Sequence, residues 1–224
     1  MVFFRFPHTS HLAWLGEGSP RNDKVLPPGE GKELLSGIVS VEEKLDGANV
    51  GISLDSNAAL RVQNRGQYLI KPYSGQFSRL FGWLEQHRIG LETVLSHDLI
   101  LFGEWCAAVH SVKYTRLSDW FLLFDVYDRT EGKFWSCSRR DELAYRAGID
   151  VVPHLVREKV SLSGLEALLQ KSSSSFCDGP MEGLVIRQDS EKWNEARAKL
   201  VRADFTQSIG QHWRSRKLAW NLTS

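Results

Sequence analysis

Four consecutive residues, Lys44-Leu45-Asp46-Gly47, set an amine, a carboxylate and a glycine side by side. An amine at the rim of a strand serves phosphate binding or covalent catalysis. Alone the run carries little: about one chain in twenty of this length has a Lys-x-Asp-Gly by chance. An Asp-Gly hairpin turn with a solvated lysine explains it equally well. Other charged groups stand beside apolar runs. Glu104 follows residues 99–103, Glu182 precedes the glycine-led run 183–186, and Lys199 sits within 198–202. A carboxylate there is costly to bury without a partner, so it lies either at a strand end in solvent or in a functional cleft. Arg65 closes the run 60–64 and would sit at a strand end, where loops build sites.

These side chains need strands to position them. Val39, Val41 and Glu43 alternate with Ser40, Glu42 and Lys44, and Val50, Ile52 and Leu54 alternate again after Asp46-Gly47. The pattern predicts two strands joined by a short turn, a hairpin with Lys44 at its rim. Further strands are expected over 60–65, 99–105, 120–128, 180–187 and 198–202. Phe77, Leu80, Phe81 and Leu84 have helical spacing and read as a core-facing stripe. Helices are expected from Ser138 as N-cap to Ala147 with Gly148 as stop, and from Ser163 with Leu165, Leu168 and Leu169 on one face. Residues 171–175 read as a flexible loop. Asp204 would cap a closing helix with Phe205, Ile209 and Trp213 on one face. Strands and helices mix without a βαβ rhythm, so the fold class is α+β with mainly antiparallel sheets.

Composition narrows the function classes. The 224 residues, 42% hydrophobic and 25% charged, make a soluble globular chain. They divide into an N-terminal arm over 1–37, packed on a domain over 38–224, with no separate C-terminal domain. A formal net charge of +1 excludes a polyelectrolyte, so any nucleic acid must be held by a local patch. Cys106, Cys137 and Cys177 lie far apart without metal-ligand spacing, which fits a reducing cytoplasm. No apolar run approaches about 18 residues and no signal-peptide pattern opens the chain, so no membrane association is expected. The proline-rich arm, with Arg21 and Lys24, is either a surface segment or a wrap that brings cations over a ligand site. His110 and His212 read as structural. Lys113, Arg116 and Arg79 read equally as phosphate contacts or as a solvated face.

Taken jointly and in order, these segments resemble the covalent nucleotidyltransferase superfamily of polynucleotide ligases and mRNA capping enzymes. Lys44-Leu45-Asp46-Gly47 resembles its first motif and Asn64-Arg65-Gly66 the arginine that follows. Phe102-Gly103-Glu104 resembles the third, and Phe124-Asp125-Val126 the aromatic strand after it. Glu182-Gly183-Leu184-Val185-Ile186 resembles the fourth, and Lys199-Leu200-Val201 the fifth. Ala48-Asn49 after the glycine, and Phe205 past Lys199, are most similar to the RNA ligase 2-like branch of ATP-dependent RNA ligases. The resemblance implies an ATP-grasp-like domain of two mainly antiparallel sheets with flanking helices.

It also implies an activity. AMP passes from ATP to a lysine, then to the 5′-phosphate of an RNA end or nick, which is sealed to a 3′-hydroxyl. By resemblance, Lys44, Asp46, Glu104, Glu182 and Lys199 form the catalytic set. Glu43, Lys44, Asn49, Arg65, Glu104, Phe124, Glu182 and Lys199 would hold the nucleotide, with Phe124 stacked on adenine and Glu43 reading its edge. Glu104 and Glu182 would hold Mg²⁺ or Mn²⁺ through its waters. A lysine attacks phosphorus only when neutral, and partial burial with nearby cations lowers its pKa from about 10.4. In one departure, Val201 stands where the fifth motif usually carries a second basic residue, with Arg202 expected on the other side of the strand. The other is the short C-terminus. A monomeric cytoplasmic enzyme is expected. The alternatives are a DNA ligase, a GTP-using capping-type enzyme, or a nucleotide-binding regulator that does not seal.

Overall fold

The computed structural model describes residues 2–18, 25–207 and 218–224. In chain order the elements are α1 (Pro28–Leu34), β1 (Val39–Lys44), β2 (Ala48–Leu54), β3 (Leu60–Asn64), α2 (Leu80–Val94), β4 (Leu99–Trp105), β5 (Phe121–Asp128), β6 (Lys133–Phe134), α3 (Cys137–Ala147), β7 (His154–Glu158), α4 (Leu162–Lys171), β8 (Gly183–Asp189), β9 (Asn194–Val201) and α5 (Ala203–Gln207). The strands form two sheets, β7-β1-β8-β9 and β3-β2-β4-β5-β6, with every pairing antiparallel. The α+β class with two antiparallel sheets is the one the sequence predicts.

The expected hairpin at Lys44 is not there. β1 pairs with β7 and β8, whereas β2 pairs with β3 and β4. The Asp46-Gly47 turn therefore carries the chain from one sheet to the other. Period-2 alternation fixes which face each side chain takes, not which strand lies alongside. Gly47 is required by close approach: a Cβ there would lie 2.6 Å from the Trp105 carbonyl oxygen.

Each sheet has helices on its outer face. Val50, Ile52, Leu101 and Leu123 pack with Leu80, Trp83, Leu84 and Leu91 of α2 and Leu143 of α3. Val39, Val41, Leu184 and Ile186 pack with Leu34 of α1 and Leu165 and Leu169 of α4. Truncating a fully buried leucine such as Leu91 to alanine costs about 2–5 kcal/mol. Phe81 departs from its expected core position: it is 50% exposed beneath Lys71, and Trp83 is buried instead. α3 starts after Ser136 rather than Ser138 and ends, as expected, at left-handed Gly148. Ser161 rather than Ser163 caps α4, accepting the Gly164 amide at 3.1 Å.

The inner faces meet through buried charge. Asp125 of β5 takes Arg187 of β8 at 2.7 Å and also Arg197 of β9, and Glu42 of β1 takes Arg140 of α3 at 2.6 Å. The N-terminal segment belongs to this packing. Phe6 stacks edge-on against Phe124, and Ser10 and Leu12 exchange backbone hydrogen bonds with Lys199 on the edge of β9. Arg21 and Lys24, and Ile209, His212 and Trp213 of the expected closing helix, lie outside the described residues. The serine-rich run is tied down: Ser174 is buried, and the Ser175 amide donates to Glu43 at 2.9 Å.

Candidate active site

The chain crosses from one sheet to the other at Asp46-Gly47, and the motif residues gather around that crossing. Lys44 is the last residue of β1 and lies opposite Gly183 at the start of β8. Its Nζ donates to Oε2 of Glu182, the residue before β8, at 2.7 Å. Lys199 lies opposite Val185. From the facing sheet come Glu104, which accepts the Gly47 amide at 3.1 Å, and Asn49, its partner across β2 and β4. Arg65 follows β3, and Phe124 stands two residues past Leu122, the partner of Glu104. Residues up to about 155 positions apart thus reach one cleft because each stands at or near a strand end.

Asp46 makes different contacts from the others. Its Oδ2 accepts the amides of Ser111 at 2.6 Å and Val112 at 2.8 Å, and its own amide donates to the Tyr114 hydroxyl at 2.8 Å. Asp46 therefore ties the lysine-bearing turn to the loop after β4. Glu43 uses Oε2 for Ser175, while its buried Oε1 has no hydrogen-bond partner among the described residues. Asn49 Oδ1 and Arg65 Nε are likewise buried without partners. These three atoms stand near the Lys44–Glu182 pair and are available to a polar ligand.

Burial sets the electrostatics. It works against the Lys44 ammonium, but the Glu182, Glu104 and Asp46 carboxylates outweigh it and hold the pKa above its usual value, the reverse of the lowering expected from the sequence, because carboxylates rather than cations surround the amine. Burial pushes Glu104 up to about 7, against Lys44 and with help from the Glu182 and Asp46 charges. Glu182 is also raised, chiefly by burial, with Lys44 pulling the other way. The cleft thus confines acids that are costly to ionise together, a demand for further positive charge. Among the described residues no three His, Cys, Asp or Glu side chains could enclose an ion. Two hard carboxylates instead suit a Mg²⁺ that keeps most of its waters.

Register decides the fifth segment. Lys199 and Val201 alternate onto one face, opposite Val185 and Gly183. Arg202 turns away to Asp204 at 3.1 Å and to the Leu169 carbonyl of α4. Of the three surface cations singled out earlier, Arg116 pairs with Asp178 at 2.7 Å and Arg79 lies between the rings of Trp120 and Trp220. Lys113 is exposed. His110 hydrogen-bonds Gln76 at 2.7 Å, in keeping with a structural role.

Sequence reasoning missed the charged set Glu42, Asp125, Arg140 and Arg187, each buried to within 1% exposure. Its signal was present: Asp125 and Arg187 interrupt otherwise apolar strands. It also missed Asn221, equally buried, for which the sequence carries no signal.

The sequence profile of the RNA ligase family matches residues 37–201. No curated protein matches. Solved structures of the Naegleria gruberi RNA ligase share the fold. A variant with ATP and Mn has a TM-score of 0.61 at 17% identity, covering 80% of this chain and 54% of that one. Another with ATP and Mn has a TM-score of 0.63 at 16% identity, covering 90% and 57%. The structure with PPi has a TM-score of 0.61 at 16% identity, covering 93% and 64%. The chain thus spans between half and two thirds of the length of these relatives. Among the described residues no helix is long and apolar enough to cross a membrane.

Proposed function

Because this chain belongs to the RNA ligase family, we propose that it is an ATP-dependent RNA ligase working through a Lys44–AMP intermediate. The observation that carries the reading is the meeting of Lys44, Glu104 and Glu182 in one cleft beside the unpartnered Asn49 Oδ1 and Arg65 Nε. Glu182 Oε2 stands at hydrogen-bond distance, 2.7 Å, to take the ammonium proton. The Lys44 amine attacks the α-phosphorus of ATP, a P–N bond forms, the P–O bond to the β-phosphate breaks, and pyrophosphate leaves. A 5′-phosphate oxygen of RNA then displaces Lys44 from the AMP phosphorus. The 3′-hydroxyl attacks that 5′-phosphorus, and AMP departs.

Each remaining residue has a task fitted to its chemistry. Lys199 and Arg65 neutralise phosphoryl oxygens. Asn49 Oδ1 accepts from a ribose hydroxyl. The Phe124 ring stacks on adenine, and Glu43 Oε1 accepts from its exocyclic amine. Asp46 holds the turn that presents Lys44. A Mg²⁺ or Mn²⁺ held through its waters by Glu104 and Glu182 would supply countercharge for the phosphates. Three free, buried cysteines support a cytoplasmic protein.

Val201 and the averted Arg202 favour one second reading, a protein that takes AMP but does not seal. Mass spectrometry after incubation with ATP and Mg²⁺ tests the main proposal. One AMP adduct on Lys44 is expected, absent in Lys44→Ala and not formed as GMP from GTP. A folded protein that takes no adduct overturns the assignment. An adduct with no sealing of any RNA end selects the second reading.

A further inference from the structure

The chain's last residues, 218–224, thread between the two limbs of the loop that follows β4. On one side the Val109 amide donates to Ala219 O at 2.9 Å, and the Asn221 amide donates to Ala107 O at 2.9 Å. On the other side the Leu222 amide donates to Tyr114 O at 3.1 Å, the Leu117 amide to Leu222 O at 3.0 Å, and the Ser224 amide to Leu117 O at 2.9 Å. Trp220 fixes this strap to the helical layer: the Arg79 guanidinium lies 4.3 Å from its ring centre and 4.7 Å from that of Trp120.

One side chain joins the limbs. Asn221 is 1% exposed. Its Oδ1 accepts the Tyr114 amide at 2.8 Å, and its Nδ2 donates to Cys106 O at 2.8 Å and Ala108 O at 3.2 Å. Only a carboxamide offers an acceptor and two donors in this geometry. Without it, one amide and two carbonyls are left unsatisfied inside the protein. The tip of the loop so held is the part that grips Asp46, through Ser111, Val112 and the Tyr114 hydroxyl. Asp46 is two residues from Lys44. An unbroken line of hydrogen bonds therefore runs from the end of the chain to the nucleophile's turn. Asn221 lies beyond the span the family profile matches.

We propose that Asn221 is a positioning residue for lysine adenylylation, setting the loop that orients the Lys44 turn for attack on the α-phosphorus; this rests on the ligase reading above. It touches neither ATP nor RNA. Its effect falls on the rate of the bound complex, because Lys199, Glu182 and Arg65, which meet the nucleotide, lie on other elements. A misplacement of about 1 Å at a nucleophile is worth up to ~10²-fold in rate.

The test is single-turnover adenylylation of the full chain over a range of ATP concentrations, for wild type, Asn221→Ala and Tyr114→Phe. Circular dichroism and thermal melting establish folding. The Tyr114→Phe change keeps the ring and removes only the hydroxyl that accepts the Asp46 amide. Both variants are expected to lose at least ~10-fold in maximal rate, while the ATP concentration giving half of it stays within about threefold. If Asn221→Ala does not fold, Tyr114→Phe decides on the same criterion. Folded variants with maximal rates within threefold of wild type overturn the inference. So does a loss confined to ATP affinity, which would place the strap in nucleotide binding. Both results leave the ligase reading standing, whereas a wild-type protein that forms no adduct overturns the two together.

Discussion

Replacing Glu104 with glutamine separates what the cleft needs for chemistry from what the fold needs for stability. Burial raises the Glu104 carboxyl from 4.5 to about 7. The folded protein therefore holds this proton over a pH range in which the unfolded chain has lost it. Stability from the group is fully present below its unfolded pKa and falls as pH rises through the folded one. Between about pH 5 and about pH 8 the linkage relation gives a loss of roughly 2.5 kcal/mol. This figure is a ceiling, since part of the Glu104 side chain remains exposed to solvent. Glutamine keeps an oxygen for the Gly47 amide, 3.1 Å away in the native site, and carries no charge to desolvate. Lys44 titrates above this window and stays paired with Glu182. The Glu104→Gln protein should thus match wild type at about pH 5 and exceed it by up to ~2 kcal/mol at about pH 8, while adenylylating slowly. Urea unfolding at both pH values, with equal slopes, measures the difference. A stability difference that does not change with pH, or a less stable variant at the higher pH, would refute the assignment of a buried, costly charge to Glu104.

Other expectations concern the same cleft. Glu182→Ala and Lys199→Ala should each slow single-turnover adenylylation at least ~10²-fold, and rates within threefold of wild type would make those residues structural. Val201→Lys should lower the apparent KM for ATP by placing a cation on the Lys199 face, and an unchanged or raised KM in a folded variant would show that the triphosphate is held elsewhere. A nick with ribonucleotides on its 3′-hydroxyl side should be sealed faster than an all-DNA nick, and binding should be weak and fall with salt along a shallow slope, because few phosphates are neutralised by a chain of net charge +1. Equal sealing of both nicks in a gel assay would remove the RNA preference.

Much of this cleft was legible because its chemistry is local. Lys44, Glu104, Glu182 and Lys199 each stand beside an apolar run that makes a strand, so the apolar pattern put them at or near strand ends. The averted Arg202 followed from the same alternation. Pairing was not legible. The Asp46-Gly47 turn has the composition of a hairpin, yet the chain crosses there to a second sheet, because the partners of β1 are β7 and β8, more than 100 residues downstream. β7 itself went unseen: its His154 and Arg157 mask any apolar period. α1 was hidden among prolines and glycines, though Pro28 at its start, Glu30 in its first turn and Lys32 in its last favour a helix, and Leu34 buries it against the β1 face.

Asp46 shows how a motif can be read for its chemistry while its structural contacts go unread. The pairing of Lys44 with Asp46 over two residues invites a role for the carboxylate at the reacting centre. Its oxygen instead takes two backbone amides from a loop some 65 residues on. The limbs of that loop are bridged by the carboxamide of Asn221. No local pattern could have announced this, because an asparagine earns such a place only through three backbone atoms that folding brings around it. The proposed nucleophile is therefore written in four adjacent residues, while the turn that carries it is held by contacts spread over nearly the whole chain.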